Sequence, residues 1–201
     1  MTRAQQKAAT RAGLVAAARD LFAEHGYAPV RIEDIARRAG CSRAAFYLHF
    51  PDKMTVLRAV SADSMHPRAA ELYADLDRVL TTESKAEFTA WIEAAVDWFD
   101  RHRTLLPAWD QAVALEPGFT PVARQAIADL SDAMPGYLAN WGPEREAEAR
   151  LRIELLVAQL ERFFARWAEQ GTIDTPRELA VHVLADIWYS ALVPSRSQPP
   201  A

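Results

Sequence analysis

The side chains best suited to chemistry lie close together between residues 42 and 53, in the segment SRAAFYLHFPDK. Hydroxyl, imidazole and ammonium groups bind phosphate oxygens and thereby fix the position of a protein on a nucleic-acid duplex. Arginine can also donate two hydrogen bonds to O6 and N7 of guanine in the major groove. We predict that Arg43 reads bases, and that Ala44 and Ala45 allow close approach or contact a thymine methyl group. The predicted phosphate contacts are Ser42, Tyr47, His49 and Lys53.

Short helices with clear end signals must position these side chains. A first helix, with apolar residues at three- and four-residue steps, ends at Gly26, because glycine readily adopts the conformation of a helix terminus. A second, short helix ends at Gly40, and Ser42 can cap a third. Two short helices joined by a turn with glycine, behind a longer supporting helix, form the three-helix unit of many DNA-binding proteins. The predicted shared core of this unit is Ile35, Ala36, Ala39, Phe46 and Phe50.

Basic charge is concentrated in the same region, although the chain as a whole has a net charge of −4. Residues 1–58 contain 10 Lys and Arg against 5 Asp and Glu, whereas residues 59–201 contain 13 against 22. Such an excess is also typical of an ordinary solvated surface, so charge alone does not establish DNA contact. Arg3, Lys7 and Arg11 are further candidates for contact with a neighbouring phosphate or the minor groove.

Three sequence features occur at fixed offsets within residues 14–53: LF…HGY, IEDIARRAG and SRAAFYLHFPDK. In these features the segment resembles the DNA-binding region of TetR transcriptional regulators. The resemblance covers about a fifth of the chain. It implies that the candidate residues between positions 42 and 53 lie at or beside DNA. It also implies an effector pocket and a dimer interface in the remaining domain, with repression as the commoner outcome.

Two residues depart from the pattern of that family. Arg31 stands where the family usually has a Thr or Ser that caps the second helix and touches a phosphate. We expect Arg31 still to meet phosphate, although the side-chain cap is lost. Cys41 replaces the usual small aliphatic residue of the turn. A buried hydrophobic thiol is the favoured interpretation of Cys41, and redox sensing is the alternative.

The rest of the chain shows helical periodicity and few strand signals, which predicts an all-α fold. Further helices are expected near 68–80, 84–103, 104–115, 120–139, 144–170 and 176–193. The predicted architecture is a three-helix helix-turn-helix DNA-binding domain followed by a larger helical domain for effector binding and dimerisation. The expected boundaries are 1–52 for the first domain, 53–66 for a connecting helix, 67–193 for the second domain and 194–201 for a disordered tail.

Aromatic residues beyond the basic region are candidates for an effector pocket, because cavities between helices often bind small molecules. Ordinary core packing is the alternative for each of them. Asp110, His102 and Glu116 are candidates for polar contacts to the same ligand. The aromatic candidates are Trp91, Trp98, Trp109, Tyr137 and Trp141.

The last two predicted helices carry more apolar surface than a single buried face requires. In 176–193 polar residues recur at every fourth position, which leaves most of the circumference apolar. One face can pack on its own domain and the other on a second copy, which predicts a four-helix interface across a two-fold axis. The predicted interface residues are Leu156, Leu160, Phe163, Trp167, Leu184 and Trp188.

These features predict a sequence-specific transcriptional regulator, a repressor that a small-molecule effector releases from DNA. The expected partners are a roughly palindromic double-stranded operator, an effector of apolar or aromatic character, and a second copy of the chain. No cofactor, metal or membrane partner is expected. Because the chain starts without an apolar secretory stretch and contains a single cysteine, a cytoplasmic location is expected.

Two other classes of function are alternatives to transcriptional regulation. A helical enzyme or small-molecule carrier would need converging acids, bases or metal ligands, and the sequence contains no phosphate-binding glycine loop, HExxH pair or nucleophile elbow. A non-specific architectural DNA binder is disfavoured because the acidic bulk of the chain repels phosphate. Titration against genomic fragments with excess competitor DNA separates all three classes.

Overall fold

The computed structural model describes residues 2–193, and within them the chain forms α-helices and no β-strand, which confirms the all-α fold. The predicted tail, residues 194–201, lies outside the described residues. A 3₁₀ turn, Pro117–Phe119, and a π-helical turn, Ala165–Glu169, accompany the helices. In chain order the helices are α1 (Arg3–His25), α2 (Ile32–Arg38), α3 (Arg43–Tyr47), α4 (Lys53–Ser64), α5 (His66–Thr82), α6 (Lys85–His102), α7 (Leu106–Leu115), α8 (Thr120–Asp132), α9 (Pro135–Ala139), α10 (Glu146–Phe164) and α11 (Arg177–Leu192).

Side-chain caps define the starts of the N-terminal helices. The Ser42 hydroxyl accepts a hydrogen bond from the Ala45 amide at 3.1 Å, and an Asp52 carboxylate oxygen accepts one from the Thr55 amide at 2.6 Å. These bonds satisfy amide groups that have no partner inside the helix. The predicted caps of α3 and α4 are therefore confirmed.

The helix predicted near 120–139 is two helices, α8 and α9, because Pro135 lies in the first turn of the second. Proline has no amide hydrogen and cannot continue a helix, but it is well tolerated at a helix start. The two amides that follow Pro135 both donate to the carboxylate of Asp77, at 2.9 Å from Gly136 and 2.6 Å from Tyr137. The start of α9 is thereby tied to α5.

The chain divides into two compact units. One unit contains the chain up to Pro67 together with His102–Gln125, and the other contains Arg68–Arg101 together with the chain from Ala126 onward. The sequence prediction assigned all of 67–193 to one domain. In the structure α7 and the 3₁₀ turn instead group with the N-terminal helices.

The first unit is built on an aromatic and aliphatic core beneath α2 and α3. Phe22 of α1, Ile35 of α2 and Phe46 of α3 are fully buried. Phe50 follows α3 and lies 5.8 Å from Phe46 between ring centroids. Because two of the buried residues belong to short helices, their burial fixes which faces of α2 and α3 remain outside.

The second unit has a core rich in aromatic rings. The Trp91 ring lies 5.4 Å from that of Trp188 and 5.6 Å from that of Tyr73, between centroids. The Trp91 indole N–H donates to the carbonyl of Leu72 at 2.7 Å, and that of Trp188 donates to Gln159 at 3.1 Å. Burial of these indoles is compatible with stability because each polar N–H has an acceptor.

None of the helices within residues 2–193 is both long enough and apolar enough to cross a membrane.

Candidate nucleic-acid interface

The exposed face of α3 is determined by the way in which the helix is anchored. Gly40, at φ +68°, makes the turn from α2, and Ser42 then caps α3. Phe46 points into the core, so Arg43 and Tyr47 lie on the outer face of the helix, where both are exposed. Such a short, capped helix with an outward arginine matches the geometry that enters a major groove.

Arg43 is held by neighbours on both sides. Its guanidinium forms an ion pair with Glu33 of α2 at 2.7 Å and donates to the Tyr47 hydroxyl at 3.3 Å. The hydrogen bond to Tyr47 and the charge of Glu33 raise the pKa of Arg43. The predicted base reader is therefore exposed and oriented before any DNA is present.

Leu48 is a candidate contact that sequence reasoning missed. It follows Tyr47 directly, and 76% of its surface is exposed, against 44% for Tyr47. An exposed large apolar side chain beside an arginine and a tyrosine can contact the methyl group of thymine in the major groove. The sequence does contain a signal for this exposure. Leu48 follows the buried Phe46 by two positions, and residues two positions apart in a helix do not share a face.

The remaining predicted contacts on α3 and the turns around it differ in exposure. Ser42 and Ala44 are exposed, whereas Ala45 and His49 are half-buried. Arg31 is exposed at the start of α2, where its amide donates to an Asp34 carboxylate oxygen at 3.3 Å. The expected loss of a side-chain cap at Arg31 is confirmed.

Cys41, the only cysteine in the sequence, is a half-buried free thiol rather than a fully buried one.

The structure corrects the role predicted for Lys53. Its ammonium group donates to the backbone carbonyls of Tyr27, Ala28 and Val30, at 2.9, 3.4 and 3.1 Å, and lies 3.9 Å from the centroid of the Tyr27 ring. Burial lowers the pKa of Lys53, and Glu116 acts in the opposite direction. Lys53 thus binds the turn before α2 instead of extending toward phosphate.

The basic residues of α2 form ion pairs within the first unit. Arg38 pairs with Glu24 of α1 at 2.8 Å, and Arg37 pairs with Asp34. Among the basic residues of α1, Arg3 and Lys7 are exposed, and the Arg11 guanidinium lies 5.0 Å from the centroid of the Phe50 ring.

The five aromatic residues proposed for an effector pocket belong to both compact units. Trp91 belongs to the core of the second unit, and Trp98 packs edge-on against Phe99 at 5.0 Å. Trp109 belongs to the first unit, where it packs against Phe119 at 4.7 Å. Tyr137 and Trp141 do share a cavity of about 360 Å³ in the second unit. The cavity is lined by Leu80, Glu83, Tyr137, Asn140, Trp141, Arg145, Leu192 and Val193.

The polar candidates for effector contact all belong to the first unit. A ring nitrogen of His102 is 3.2 Å from the Ser64 carbonyl oxygen, and Glu116 accepts a hydrogen bond from the Tyr27 hydroxyl at 3.0 Å. Asp110 is exposed on α7. None of the three lines the cavity beside Trp141.

The structure also corrects the predicted dimer interface. Four of its six residues are buried within the single chain and cannot supply a surface for a partner: Leu156, Leu160, Leu184 and Trp188. Phe163 and Trp167 are half-buried and stack on each other at 5.7 Å. Large apolar side chains that are exposed on the same two helices are Leu151 and Leu155 of α10, and Leu179, Val183 and Ile187 of α11.

Comparison with known proteins finds relatives among DNA-binding regulators. The family model described as "Bacterial regulatory proteins, tetR family" matches residues 14–60. The HTH-type transcriptional regulator CymR of Pseudomonas putida is 43% identical over 153 residues, which cover 72% of this chain and 73% of CymR. The HTH-type transcriptional regulator SrpR of the same species is 39% identical over 67 residues, which cover 33% of this chain and only 32% of SrpR.

A similar fold occurs in the crystal structure of NalD, the secondary repressor of the MexAB-OprM multidrug efflux pump in Pseudomonas aeruginosa. The TM-score is 0.64 at 17% sequence identity, and the match covers 96% of this chain and 100% of that chain. At this level of identity the likeness concerns the fold.

Proposed function

The chain belongs to the TetR family of bacterial regulatory proteins, and from this premise we propose that it represses transcription by binding a specific operator. Its relatives are transcriptional regulators rather than enzymes. The proposed partners are a roughly palindromic DNA duplex, a second copy of the chain and a small-molecule effector. Binding to chromosomal DNA requires that the protein act in the cytoplasm, which is the proposed location.

The observation that carries this proposal is the oriented Arg43 on the exposed face of a capped helix. In the free protein the exposed guanidinium contacts the Glu33 carboxylate and the Tyr47 hydroxyl on the outer side of α3. A guanidinium in this position can bond O6 and N7 of guanine. The side chains proposed to face DNA are Arg31, Ser42, Arg43, Ala44, Ala45, Tyr47, Leu48 and His49.

The homodimer is supported by the exposed apolar residues of α10 and α11. Leu179, Val183 and Ile187 recur at every fourth position, so they form one stripe along α11. Leu151 and Leu155 form a matching pair on α10. A second copy related by a two-fold axis would cover both stripes and place two α3 helices in successive major grooves.

The cavity beside Tyr137 and Trp141 supports an effector of apolar or aromatic character. Arg145 and Arg152 lie 4.6 and 4.9 Å from the centroid of the Trp141 ring. Burial raises the pKa of Tyr137, so its hydroxyl stays protonated and able to donate. A ligand that binds better to the DNA-free conformation shifts the population away from the operator by its differential affinity.

Selection of genomic fragments with excess competitor DNA at fixed salt tests the function. We expect the wild-type protein to retain a small set of related sites. Retention of no fragment would indicate an enzyme or carrier, and retention of all fragments would indicate an architectural binder.

Replacement of Arg43 tests the residue that carries the proposal. Arg43→Ala should weaken binding to the selected operator about tenfold to a hundredfold and relax the preference at one base position. Arg166→Ala, which removes the same charge from an exposed residue of the second unit, is the matched control and should bind normally. Unchanged base preference in Arg43→Ala would contradict the assignment.

A further inference from the structure

The turn between α1 and α2 obtains its hydrogen-bond partners from side chains that are distant in sequence. It begins at Gly26, whose φ of +77° and ψ of −178° are accessible almost only to glycine. The turn ends where α2 begins, directly before the helices that form the DNA-binding motif. Backbone groups that are partly shielded from water need partners, and in this turn side chains from other elements supply them.

Gln111 of α7 supplies the acceptor for one side of the turn. Its side-chain oxygen accepts from the amide of Tyr27 at 2.8 Å and from the amide of Ala28 at 3.0 Å. Contact is close, because a Cβ atom built on Gly26 would lie 2.9 Å from the same oxygen. One side-chain oxygen therefore holds two consecutive amides, across a separation of more than 80 residues.

Lys53 and Glu116 complete the set of contacts. The Lys53 ammonium binds three carbonyls of the turn, including that of Tyr27, and the Tyr27 hydroxyl donates to Glu116 at 3.0 Å. Tyr27 is itself almost fully buried against Phe22, at 5.6 Å between centroids. Amides, carbonyls and the tyrosine ring are thus all held, and two of the holding side chains come from α7 and its C-terminal end.

We propose that Gln111 is a positioning residue for DNA binding, which holds the Tyr27–Ala28 turn and so fixes the direction in which α2 and α3 leave α1. The inference rests on the proposed function. Gln111 lies outside residues 14–60, which match the family model, and it has no direct role at the exposed face of α3. Its effect on the operator is transmitted through the backbone that leads to Arg31 and α2.

A pair of substitutions at one position separates the hydrogen bonds from the packing. Gln111→Leu keeps the approximate size of the side chain but leaves two amides without an acceptor, whereas Gln111→Glu keeps an oxygen acceptor. We expect Gln111→Leu to bind the selected operator about tenfold more weakly, which corresponds to ~1.4 kcal/mol, with the base preference unchanged. Gln111→Glu should bind within about twofold of wild type.

Amide hydrogen exchange in the free protein provides a readout that needs no DNA. In Gln111→Leu the amides of Tyr27 and Ala28 should lose protection, and in Gln111→Glu they should keep it. Val60→Ala is the control for general destabilisation, since Val60 is buried in α4 of the same unit. It should lower the free energy of unfolding while both the protection of the turn and operator affinity at low temperature are retained.

Two results would overturn the inference. Unchanged exchange at Tyr27 and Ala28 in Gln111→Leu would show that Gln111 does not hold the turn. Accelerated exchange with wild-type operator affinity would show that the held turn does not position α3. If the wild-type protein retained no genomic fragment, the proposed function would fail, whereas the exchange experiment would still decide whether Gln111 binds these amides.

Discussion

A residue of α2 reduces the positive charge on the exposed face of α3. The Glu33 carboxylate lies 2.7 Å from the exposed guanidinium of Arg43 and partly neutralises its positive charge in the free protein. If the guanidinium binds a base of the operator, it must leave this partner. A carboxylate beside DNA repels phosphate on every duplex, and a guanine that binds Arg43 would offset this repulsion.

Substitution of Glu33 should therefore reduce discrimination more than it reduces affinity. We expect Glu33→Gln to bind non-specific DNA about twofold to fivefold more tightly, because one repulsion with phosphate is removed. The ratio of specific to non-specific affinity should fall accordingly. Competition titrations at several salt concentrations measure both quantities. A Glu33→Gln protein with an increased ratio would show that the carboxylate does not restrain Arg43.

The exposed position of Leu48 predicts a contact with the methyl group of a thymine. If one methyl group of its exposed side chain is buried against thymine, Leu48→Ala should weaken binding about threefold to fivefold, because burial of one such group contributes ~0.8 kcal/mol. Replacement of the contacted thymine by deoxyuridine should have a similar effect on wild type and little effect on Leu48→Ala. Additive losses in the double change would rule out this contact.

At the scale of elements, glycines within α1 and directly after it have opposite roles. Gly13 lies inside the helix, and a Cβ built there meets no atom within 4 Å. Gly26 ends the helix in a conformation that other residues rarely adopt, and a Cβ there approaches Gln111. The same substitution should therefore change stability in opposite directions at the two positions.

The two glycine variants form a matched pair for urea denaturation. Gly13→Ala should raise the free energy of unfolding by about 0.5–1 kcal/mol, since alanine is the better helix former. Gly26→Ala should lower it by about 1–3 kcal/mol, because the backbone conformation is strained for alanine. Equal free energies of unfolding for the two variants would mean that the turn between α1 and α2 accommodates alanine at position 26 without strain.

At the scale of the whole molecule, we predict that the exposed apolar stripes of α10 and α11 form the homodimer interface. The combined change Leu155→Glu and Val183→Glu places charges on both stripes and should convert a dimer to a monomer in sedimentation experiments at micromolar concentration. Leu115→Glu, the same change at an exposed leucine of the first unit, is the control. A variant that remains dimeric would place the interface elsewhere.

The sequence by itself determined the all-α class and most of the residues on the exposed face of α3. Helix periodicity, the capping residues Ser42 and Asp52, and the turn at Gly40 are local signals, so they can be recognised in a single sequence. The spacing of Phe46 and Phe50 indicates which face is buried, and Arg43 follows as an outward residue. Leu48 was missed because an isolated leucine is usually assigned to a core.

Only the tertiary structure decided contacts between elements that are distant along the chain. The inward direction of Lys53, the bonds from Gln111 to the Tyr27 turn and the assignment of α7 to the first unit depend on packing that periodicity does not encode. The two apolar faces of α11 were recognised from sequence, but Leu184 and Trp188 were placed on the wrong one. A helical pattern reveals that a face is apolar, whereas the choice between the core and a partner depends on which neighbour already covers it.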